Sequence, residues 1–501
     1  MPEGTDLDLS RLTAADITIG IMDGDFSAAE VTRAAYARVD AVEGRVHAFN
    51  QLTRDLADAA AARIDDMVRC GDELPPLAGV PAGIKDNMNL VGSNTTCSCR
   101  MLQPYRSVYT ATAVARLLDA GAIPVGKCNL DEFAFGSSTE NSAFGPTHNP
   151  WDLDRVPGGS SGGSAAAVSA GEVCVSLGSD TGGSIRQPGS LTGTVALKPT
   201  YGRVSRYGLV AFASSLDQIG PFAKNVRDAA AVLDVIGCKD PMDATSVDCD
   251  PDERPFTVVV DETDGSLAGM RVAIARDLLD AEGLDAGVKS AVLGAADTFA
   301  ALGAEVGEIT LPHARYGLAA YYVIGPAEAS SNLARFDGIR YGRRIPDAED
   351  VMDLYLRTRA EGFGAETIRR VMIGTYALSA GYYDAYYGQA QKVRTLIIDD
   401  FKKAFSGYDV ILTPTSPTTA FKIGEKADDP LQMYLSDVYT IPVNLAGIPG
   451  MSVPCGLAEG LPVGLQLLAA HFDEAAIFRA ASAFEAATPF ETTPPLVRDL
   501  A

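Results

Sequence analysis

Residues 158–164 read Gly-Gly-Ser-Ser-Gly-Gly-Ser, residues 180–184 read Asp-Thr-Gly-Gly-Ser, and Lys85 stands well upstream of both. Serine flanked by glycine offers a hydroxyl on backbone that another molecule can approach closely, because glycine tolerates torsions that other residues avoid. A serine hydroxyl becomes a strong nucleophile when a neighbouring base removes its proton, and a lysine within reach can be that base. The two stretches and the lysine therefore indicate acyl transfer that does not use histidine.

Strand-like and helix-like segments alternate along most of the chain. Strands are predicted at seven short segments, residues 122–125, 172–177, 270–275, 305–311, 410–413, 451–454 and 465–469, and residues 172–177 are expected to be buried. Helices are predicted at residues 111–120, 225–236, 286–302 and 474–486. The alternation predicts an α/β fold with a large mixed, mainly parallel β-sheet that helices cover on both faces.

No linker divides the sequence, so we expect a single domain over residues 1–501. Residues 8–70 contain an alanine-rich run that follows a capping-box spacing, and we expect them to form a helical N-terminal section. Residues 315–395 are rich in tyrosine and helix-like, and we interpret them as an insertion that covers one end of the sheet. The acidic residues 240–265 are interpreted as a surface excursion.

The charge of the chain limits its direct partners. Lys and Arg number 41 and Asp and Glu number 65, which gives a net charge of −24. Most of such a surface repels a polyanion such as tRNA, because nucleic-acid binding depends on Lys and Arg that neutralise phosphates. The same charge is compatible with a salt-tolerant host, and both interpretations stay open.

Targeting and metal-binding signals are weak in this sequence. The first four residues lack a basic segment followed by an apolar one, and no run of 18 apolar residues occurs, so neither a signal peptide nor a membrane span is predicted. The eight cysteines are scattered, which is typical of reduced thiols in a cytoplasmic protein. Cys97 and Cys99 form the only close pair, and without a second pair no metal site is predicted.

Two other uses of glycine-rich loops fit poorly. Lys85 is followed by Asp86 instead of Ser or Thr, so the end of a P-loop is missing, and the dinucleotide pattern Gly-x-Gly-x-x-Gly is absent from both serine loops. Residues 158–162 do satisfy the Gly-x-Ser-x-Gly pattern of α/β-hydrolases, with Ser160 at its centre. Such an enzyme needs a histidine base, and none stands downstream with an acidic partner in a suitable context; the chain has only His47, His148, His313 and His471.

Lysine can replace histidine as the base if it is neutral when it acts. The apolar residues 77–84 lead to Lys85, and burial among apolar groups lowers the pKa of a lysine because it disfavours the charged form. The local sequence leaves a structural alternative open, in which Lys85 simply pairs with Asp86.

Residues 158–165 together with residues 178–188 resemble the signature of the amidase signature family. The distances from Lys85 and from Ser160 to Ser184 along the chain also agree with that family. The resemblance implies that Ser184 is the nucleophile, that Ser160 is a bridging serine with a cis peptide bond, and that Lys85 is the base. It also implies an oxyanion hole formed by four backbone N–H groups, those of Thr181, Gly182, Gly183 and Ser184.

The second half of the chain resembles one branch of this family, the A subunits (GatA) of glutamyl-tRNA(Gln)/aspartyl-tRNA(Asn) amidotransferases. The resemblance is carried by residues 328–342, 374–387 and 437–447. It implies that glutamine is bound by Tyr321, Arg370 and Asp437, although the neighbouring Tyr322 and Arg369 leave the alignment ambiguous by one residue. An arginine fork suits the α-carboxylate of glutamine, and an aspartate suits its ammonium.

The resemblance implies a glutaminase subunit of a heterotrimer with two partners, GatB and GatC. Ammonia from glutamine would pass to GatB, which uses ATP and Mg²⁺ to amidate Glu-tRNA(Gln), Asp-tRNA(Asn) or both, so this chain would bind no metal, cofactor or tRNA itself. A free-standing amidase of the same family that acts on small amides is the alternative. A non-catalytic scaffold is a third hypothesis, and it would require a broken triad, whereas Lys85, Ser160 and Ser184 are all present.

Overall fold

The computed structural model describes residues 7–248, 250, 252–490 and 493–498. Its strands are β1 (Phe49–Leu52), β2 (Pro81–Lys85), β3 (Ile123–Cys128), β4 (Val175–Asp180), β5 (Val195–Lys198), β6 (Gln218–Ala223), β7 (Arg271–Ala275), β8 (Glu305–Ile309), β9 (Val410–Pro414), β10 (Gly450–Ala458) and β11 (Leu461–Leu468). Within the described residues they form one 11-stranded sheet in the order β1-β3-β2-β4-β6-β5-β10-β11-β9-β7-β8.

Helices cover this sheet and connect its strands. They are α1 (Ala14–Asp23), α2 (Ala28–Val46), α3 (Arg54–Cys70), α4 (Thr112–Asp119), α5 (Gly162–Ser169), α6 (Arg186–Thr192), α7 (Val226–Ile236), α8 (Phe256–Asp261), α9 (Arg276–Leu279), α10 (Ala286–Ala301), α11 (Gly317–Asn332), α12 (Val351–Gly362), α13 (Ala365–Ala377), α14 (Gln389–Phe405), α15 (Pro430–Leu435), α16 (Ile441–Ala446), α17 (Glu474–Ala487) and α18 (Pro495–Arg498). Short 3₁₀ or π turns lie at Glu132–Ala134, Ala314–Tyr316, Leu333–Arg335 and Asp384–Gly388.

Local sequence signals account for several of these elements. The predicted capping box is present at the start of α2, where the Ser27 side chain accepts from the Glu30 N–H and the Glu30 carboxylate accepts from the Ser27 N–H. The strands and helices predicted from the alternating pattern are all confirmed, with ends displaced by a few residues. The N-terminal section is helical in α1, α2 and α3 but also contains β1, which the helical pattern did not predict.

The sheet is mixed, as predicted, but it is not mainly parallel. Four of its ten neighbouring pairs are parallel (β2–β3, β2–β4, β7–β8 and β7–β9), and the other six are antiparallel. Two parallel sections therefore flank an antiparallel centre. The physical reason lies partly in short connections, since only a tight turn separates β10 from β11 and such a turn can join only antiparallel neighbours.

The topology brings the two serine loops to the edge of the sheet where β2 and β4 end. These strands are parallel neighbours, so their carboxyl ends lie together, with Lys85 last in β2 and Asp180 last in β4. The first loop leads into α5 and the second into α6. Lys85 and both serines therefore meet at one edge although they are distant in sequence.

Two segments that the sequence predicts to be peripheral are residues 240–265 and residues 315–395. The stretch 240–265, in which residues 249 and 251 lie outside the described ones, contains α8, whose Phe256 is buried and packs against Phe478. It is therefore anchored to the core by an aromatic contact. The tyrosine-rich section forms α11 to α13 and the start of α14.

Every cysteine in the part of the chain that the structure describes is a free thiol, and Cys249 lies outside that part. None of the helices in that part has the length and apolarity needed to cross a membrane. The same part contains no group of three or more His, Cys, Asp or Glu side chains arranged to hold a metal ion.

Candidate active site

Lys85 is completely buried at the end of β2 and faces three serine hydroxyls. Its amine donates hydrogen bonds to the Oγ atoms of Ser160 at 2.8 Å, Ser161 at 2.8 Å and Ser179 at 2.9 Å. The sequence predicted the contact with Ser160 but not the one with Ser179. Ser179 lies in β4 beside β2, so strand pairing supplies this contact without any signal in the local sequence.

The surroundings of Lys85 favour its neutral form. Burial lowers the pKa of Lys85 to about 7, and the negative charges of Asp131 and Asp180 only partly oppose this effect. The alternative pairing with Asp86 is not observed, because Asp86 forms a buried salt bridge of 3.0 Å with Lys127 instead. Near neutral pH a large fraction of Lys85 can therefore accept a proton.

The serine loops are held directly against each other. The peptide bond between Gly159 and Ser160 is cis, as the family resemblance implied. The Ser161 N–H donates to the Ser184 carbonyl oxygen at 3.2 Å. Ser160 is fully buried, whereas Ser184 keeps 7% of its surface exposed. The structure thus brings Lys85, Ser160 and Ser184 into one cluster, with Ser184 on the side that another molecule can reach.

Asp180 organises the second serine loop. Its carboxylate accepts from the N–H groups of Gly183 at 2.8 Å and Ile185 at 3.1 Å. Arg186, also fully buried, forks onto both carboxylate oxygens at 3.0 Å. Burial alone would raise the pKa of Asp180, but the charge and hydrogen bonds of Arg186 outweigh it and lower that pKa to about 2. A permanently charged pair of Asp180 and Arg186 therefore stabilises the conformation of the second serine loop.

This arrangement corrects one part of the predicted oxyanion hole. The Gly183 N–H points inward to Asp180, so it is not free to meet a substrate oxygen. Among the described residues, the N–H groups of Thr181, Gly182 and Ser184 have no hydrogen-bond acceptor. One of the four predicted donors, the Gly183 N–H, is thus already bonded within the loop, and the motif gives no indication that the Asp180 carboxylate turns back onto the loop.

The histidines lie elsewhere in the fold. His313 pairs with Asp400 at 2.9 Å on a half-exposed surface, and the His47 ring packs edge-on against that of His148. His471 is exposed and lies in the segment before α17. Among the described residues, no imidazole forms a hydrogen bond with the serine loops.

Asp437 brings an unpaired carboxylate oxygen to the same cluster. Its Oδ2 atom accepts from the Ser137 hydroxyl, while its buried Oδ1 atom has no hydrogen-bond partner among the residues that the structure describes. A Cβ built on Gly183 would lie 3.1 Å from this Oδ1 atom, so the carboxylate lies directly over the second serine loop. Burial raises the pKa of Asp437 to about 7. An unpaired buried oxygen is costly, so this atom is available to accept a hydrogen bond from a donor such as an ammonium.

Arg370 and Arg369 both line a cavity that lies beside the first serine loop. Arg370 is 3% exposed and its guanidinium lies 4.6 Å from the Tyr322 ring centroid and 4.7 Å from that of Tyr434. The cavity has a volume of about 180 Å³. The Arg369 side chain is 46% exposed and pairs with Glu366 near the cavity mouth. Of the two arginines that the alignment leaves ambiguous, Arg370 is thus the buried one and Arg369 the exposed one.

Both tyrosines of the ambiguous pair are close to the cluster, on α11. The Tyr321 ring lies against the second serine loop, since a Cβ on Gly182 would be 2.8 Å from the Tyr321 hydroxyl. Tyr322 accepts a long hydrogen bond of 3.4 Å from Arg370 Nη2. Tyr321 thus lies near the second serine loop and Tyr322 near Arg370.

Sequence reasoning missed several polar residues of this region. Ser137 donates to Asp437, and Arg370 donates to Glu366. Ser138 lines the cavity, and its buried hydroxyl has no partner within the described part of the chain. Ser137 and Ser138 follow a 3₁₀ turn between distant strands, and neither serine belongs to a motif with a known chemical role. Only the spacing of four residues between Glu366 and Arg370 on one helix could have indicated a contact.

Comparisons with known proteins agree with this geometry. A family model described as Amidase matches residues 30–478. The A subunit of glutamyl-tRNA(Gln) amidotransferase from Carboxydothermus hydrogenoformans is 56% identical over 474 residues, which cover 94% of this chain and 96% of the relative. The glutamyl-tRNA(Gln) amidotransferase A subunit from Rubrobacter xylanophilus is 56% identical over 472 residues, which cover 94% of this chain and 96% of the relative.

A solved structure is similar over the whole fold. The crystal structure of the glutamyl-tRNA(Gln) amidotransferase A subunit from Thermotoga maritima superposes with a TM-score of 0.80 at 44% identity and covers 98% of each chain. A buried lysine, two serine loops and a mixed sheet of this form define an amidase, and the chain belongs to the amidase family. Within that family, the resemblance to the A subunits of glutamyl-tRNA(Gln) amidotransferases is confirmed.

Proposed function

We propose that the chain hydrolyses glutamine to glutamate and ammonia as the A subunit of a tRNA-dependent amidotransferase. The observation that carries the chemistry is the buried Lys85 amine at 2.8 Å from the Ser160 hydroxyl. The A-subunit relatives with more than half of their residues identical support the substrate and the assembly.

In the proposed reaction Lys85 is the base, Ser160 the relay and Ser184 the nucleophile. Neutral Lys85 takes the Ser160 proton while Ser160 takes the proton of Ser184, and Ser184 Oγ attacks the side-chain carbonyl carbon of glutamine. Free N–H groups of the second serine loop stabilise the oxyanion. The proton returns through Ser160 to the leaving nitrogen as the C–N bond breaks, which releases ammonia. Water then hydrolyses the glutamyl ester by the same relay.

Polar groups in the cavity and beside the second serine loop suit the amino-acid end of glutamine. Arg370 would bind the α-carboxylate, and the unpaired Asp437 Oδ1 atom would accept from the α-ammonium. Tyr321 adds a hydroxyl beside the serine loop. A substrate without these groups would leave buried polar atoms unpaired, so the site would reject simple amides.

The ammonia would be used by a partner subunit. In this proposal GatB amidates Glu-tRNA(Gln), Asp-tRNA(Asn) or both with ATP and Mg²⁺ in the cytoplasm, and GatC completes a heterotrimer. The net charge of −24 supports a division of labour in which the partner binds the tRNA. All of the chemistry assigned to the present chain can be carried by its own side chains and backbone.

Co-purification from the host and an ammonia assay test this function. We expect two partner subunits, glutamine-dependent ammonia release, and loss of that release in the Ser184→Ala variant of the complex. The matched control is Ser266→Ala, an exposed serine remote from the cavity. Retention of activity in Ser184→Ala excludes Ser184 as nucleophile. Hydrolysis of small aliphatic or aryl amides as fast as glutamine, by a chain that purifies alone, supports the free-standing amidase instead.

A further inference from the structure

Glu366 connects Arg370 to the wall of the cavity. Its Oε1 atom accepts from Arg370 Nε at 2.6 Å and from the Tyr434 hydroxyl at 2.9 Å. Glu366 and Arg370 lie on α13, whereas Tyr434 belongs to α15. One carboxylate oxygen therefore fixes the guanidinium and also links the two helices on either side of the cavity.

This contact differs from the other helix-surface pairs with the same spacing. The Glu366 and Arg370 side chains are 11% and 3% exposed, whereas those of Arg276 and Asp280 are 44% and 51% exposed. Exposed pairs contribute little, because solvent screens them and both side chains lose freedom. A buried carboxylate beside a buried guanidinium restricts the orientation of both groups.

The hydrogen bonds leave one edge of the guanidinium open. Nε is occupied by Glu366 and Nη2 donates weakly to Tyr322 at 3.4 Å, while Nη1 has no acceptor among the described residues. Since Arg370 lines the cavity, the fork formed by its two Nη atoms is the part available to a ligand. A carboxylate binds such a fork with two parallel hydrogen bonds.

We propose that Glu366 is a positioning residue that sets the orientation of the Arg370 fork and thereby selects amides that carry an α-carboxylate. The inference rests on the proposed glutaminase function. Glu366 does not touch the reacting amide, so it acts on substrate binding through Arg370. Tyr434 assists by donating to the same oxygen from the opposite wall.

The test compares two amides in the purified complex. L-Glutamine carries the α-carboxylate, and 4-aminobutanamide is the same molecule without it. We expect Glu366→Ala to raise the KM for glutamine by about ten- to a hundred-fold, with kcat changed much less, because a charged hydrogen bond that orients Arg370 is lost. The kcat/KM for 4-aminobutanamide, which we expect to be far below that for glutamine because the carboxylate is absent, should stay at its low wild-type value.

Three further variants separate positioning from folding. Glu366→Gln keeps an oxygen at the same place and should restore most of the affinity for glutamine. Tyr434→Phe should raise the glutamine KM less than Glu366→Ala does, and it provides the same comparison if Glu366→Ala does not fold. Glu361→Ala, the control, removes an exposed carboxylate that pairs with Arg343 and should change neither substrate.

The possible failures are distinguishable. A wild-type complex that releases no ammonia from glutamine overturns the proposed function, and the present inference with it. An active wild type whose Glu366→Ala and Tyr434→Phe variants lose both amides equally, or neither, overturns only the positioning role.

Discussion

The Lys85 amine and the Ser160 hydroxyl lie 2.8 Å apart, and both side chains are fully buried. The hydrogen bonds of the amine go to serine oxygens and not to a carboxylate, so its charge lacks a close counter-ion. Burial then dominates and brings the pKa of Lys85 to about 7. A lysine in this setting can exchange a proton with a serine at neutral pH.

The first prediction concerns the pH dependence of glutamine hydrolysis. Since neutral Lys85 is the active form and its pKa is about 7, kcat should rise with pH and level off above that value. Lys85→Ala should lower kcat by about 10²- to 10⁴-fold, the usual contribution of a general base. Steady-state ammonia release between about pH 5.5 and about pH 9 measures both effects.

Lys198 is a matched control for this titration. It is also fully buried with a pKa lowered to about 7, but its amine donates to the Pro199 carbonyl oxygen. The Lys198→Met variant should keep the inflection of the wild type even if its rate is reduced. A shifted or missing inflection in that variant would assign the titration to Lys198 and contradict the role of Lys85.

The second prediction adds Asp437 to the pH profile. Burial raises the pKa of Asp437 to about 7, and only its ionised form can accept from the ammonium of glutamine as an anion. Two deprotonations near the same pH should make log kcat/KM rise with a slope near two on the acid side. In Asp437→Asn the slope should fall to one, although activity is reduced. An unchanged slope in that variant contradicts the assignment.

The sequence predicted the site residues that belong to contiguous motifs, but not those that reach the site through strand pairing. Ser160 and Ser184 stand in contiguous motifs with fixed spacing to Lys85, so the motif alone identifies them. Ser179 meets Lys85 only because β2 pairs with β4, and pairing partners are not written in the local pattern. The short strand that ends at Lys85 begins at Pro81 and contains a glycine, so it lacks the usual apolar signature.

The third prediction uses the steric limits of the second serine loop. Gly183 has a φ of +144°, which disfavours any side chain, and a Cβ there would lie 2.2 Å from Thr440 Oγ1. Gly183→Ala should therefore move the loop, lower the Tm and abolish ammonia release. Gly269→Ala is the control, because it also has positive φ but faces open space, and it should reduce the Tm slightly without loss of rate. Full activity of Gly183→Ala contradicts the loop geometry.

The fourth prediction separates two adjacent arginines. Arg370→Ala should raise the glutamine KM by about a hundred-fold or more, because a buried partner of the carboxylate is lost. Arg369→Ala should have a much smaller effect, since its side chain is 46% exposed. Initial rates at varied glutamine concentration measure both values. If Arg369→Ala raises KM as much as Arg370→Ala does, Arg370 is not the main carboxylate ligand.

The fifth prediction concerns the buried pair behind the nucleophile loop. Arg186→Met leaves the Asp180 carboxylate buried without its partner, which should cost about 3–5 kcal/mol in the free energy of unfolding. In the wild type Arg186 lowers the pKa of Asp180 to about 2, so the stability from this pair is present above the usual value of 3.8 and lost as the pH falls through about 2. In the variant the largest contribution that opposes burial is removed, while the charge of Lys198 and the hydrogen bond from Asn444 remain, and we expect burial to dominate and to raise that pKa.

Protonation of Asp180 therefore has opposite effects on the stability of the wild type and of the Arg186→Met variant. A raised folded-state pKa means that the variant gains stability as Asp180 takes up a proton, so the Tm gap to the wild type should narrow from about pH 7 towards about pH 4. Differential scanning calorimetry at both pH values measures the gap, and Arg271→Met, which breaks an exposed pair with Asp409, controls for a simple loss of charge. A Tm gap that stays constant or widens on acidification would show that Arg186 does not keep Asp180 ionised. The charged Asp180–Arg186 pair would then not explain the conformation of the second serine loop.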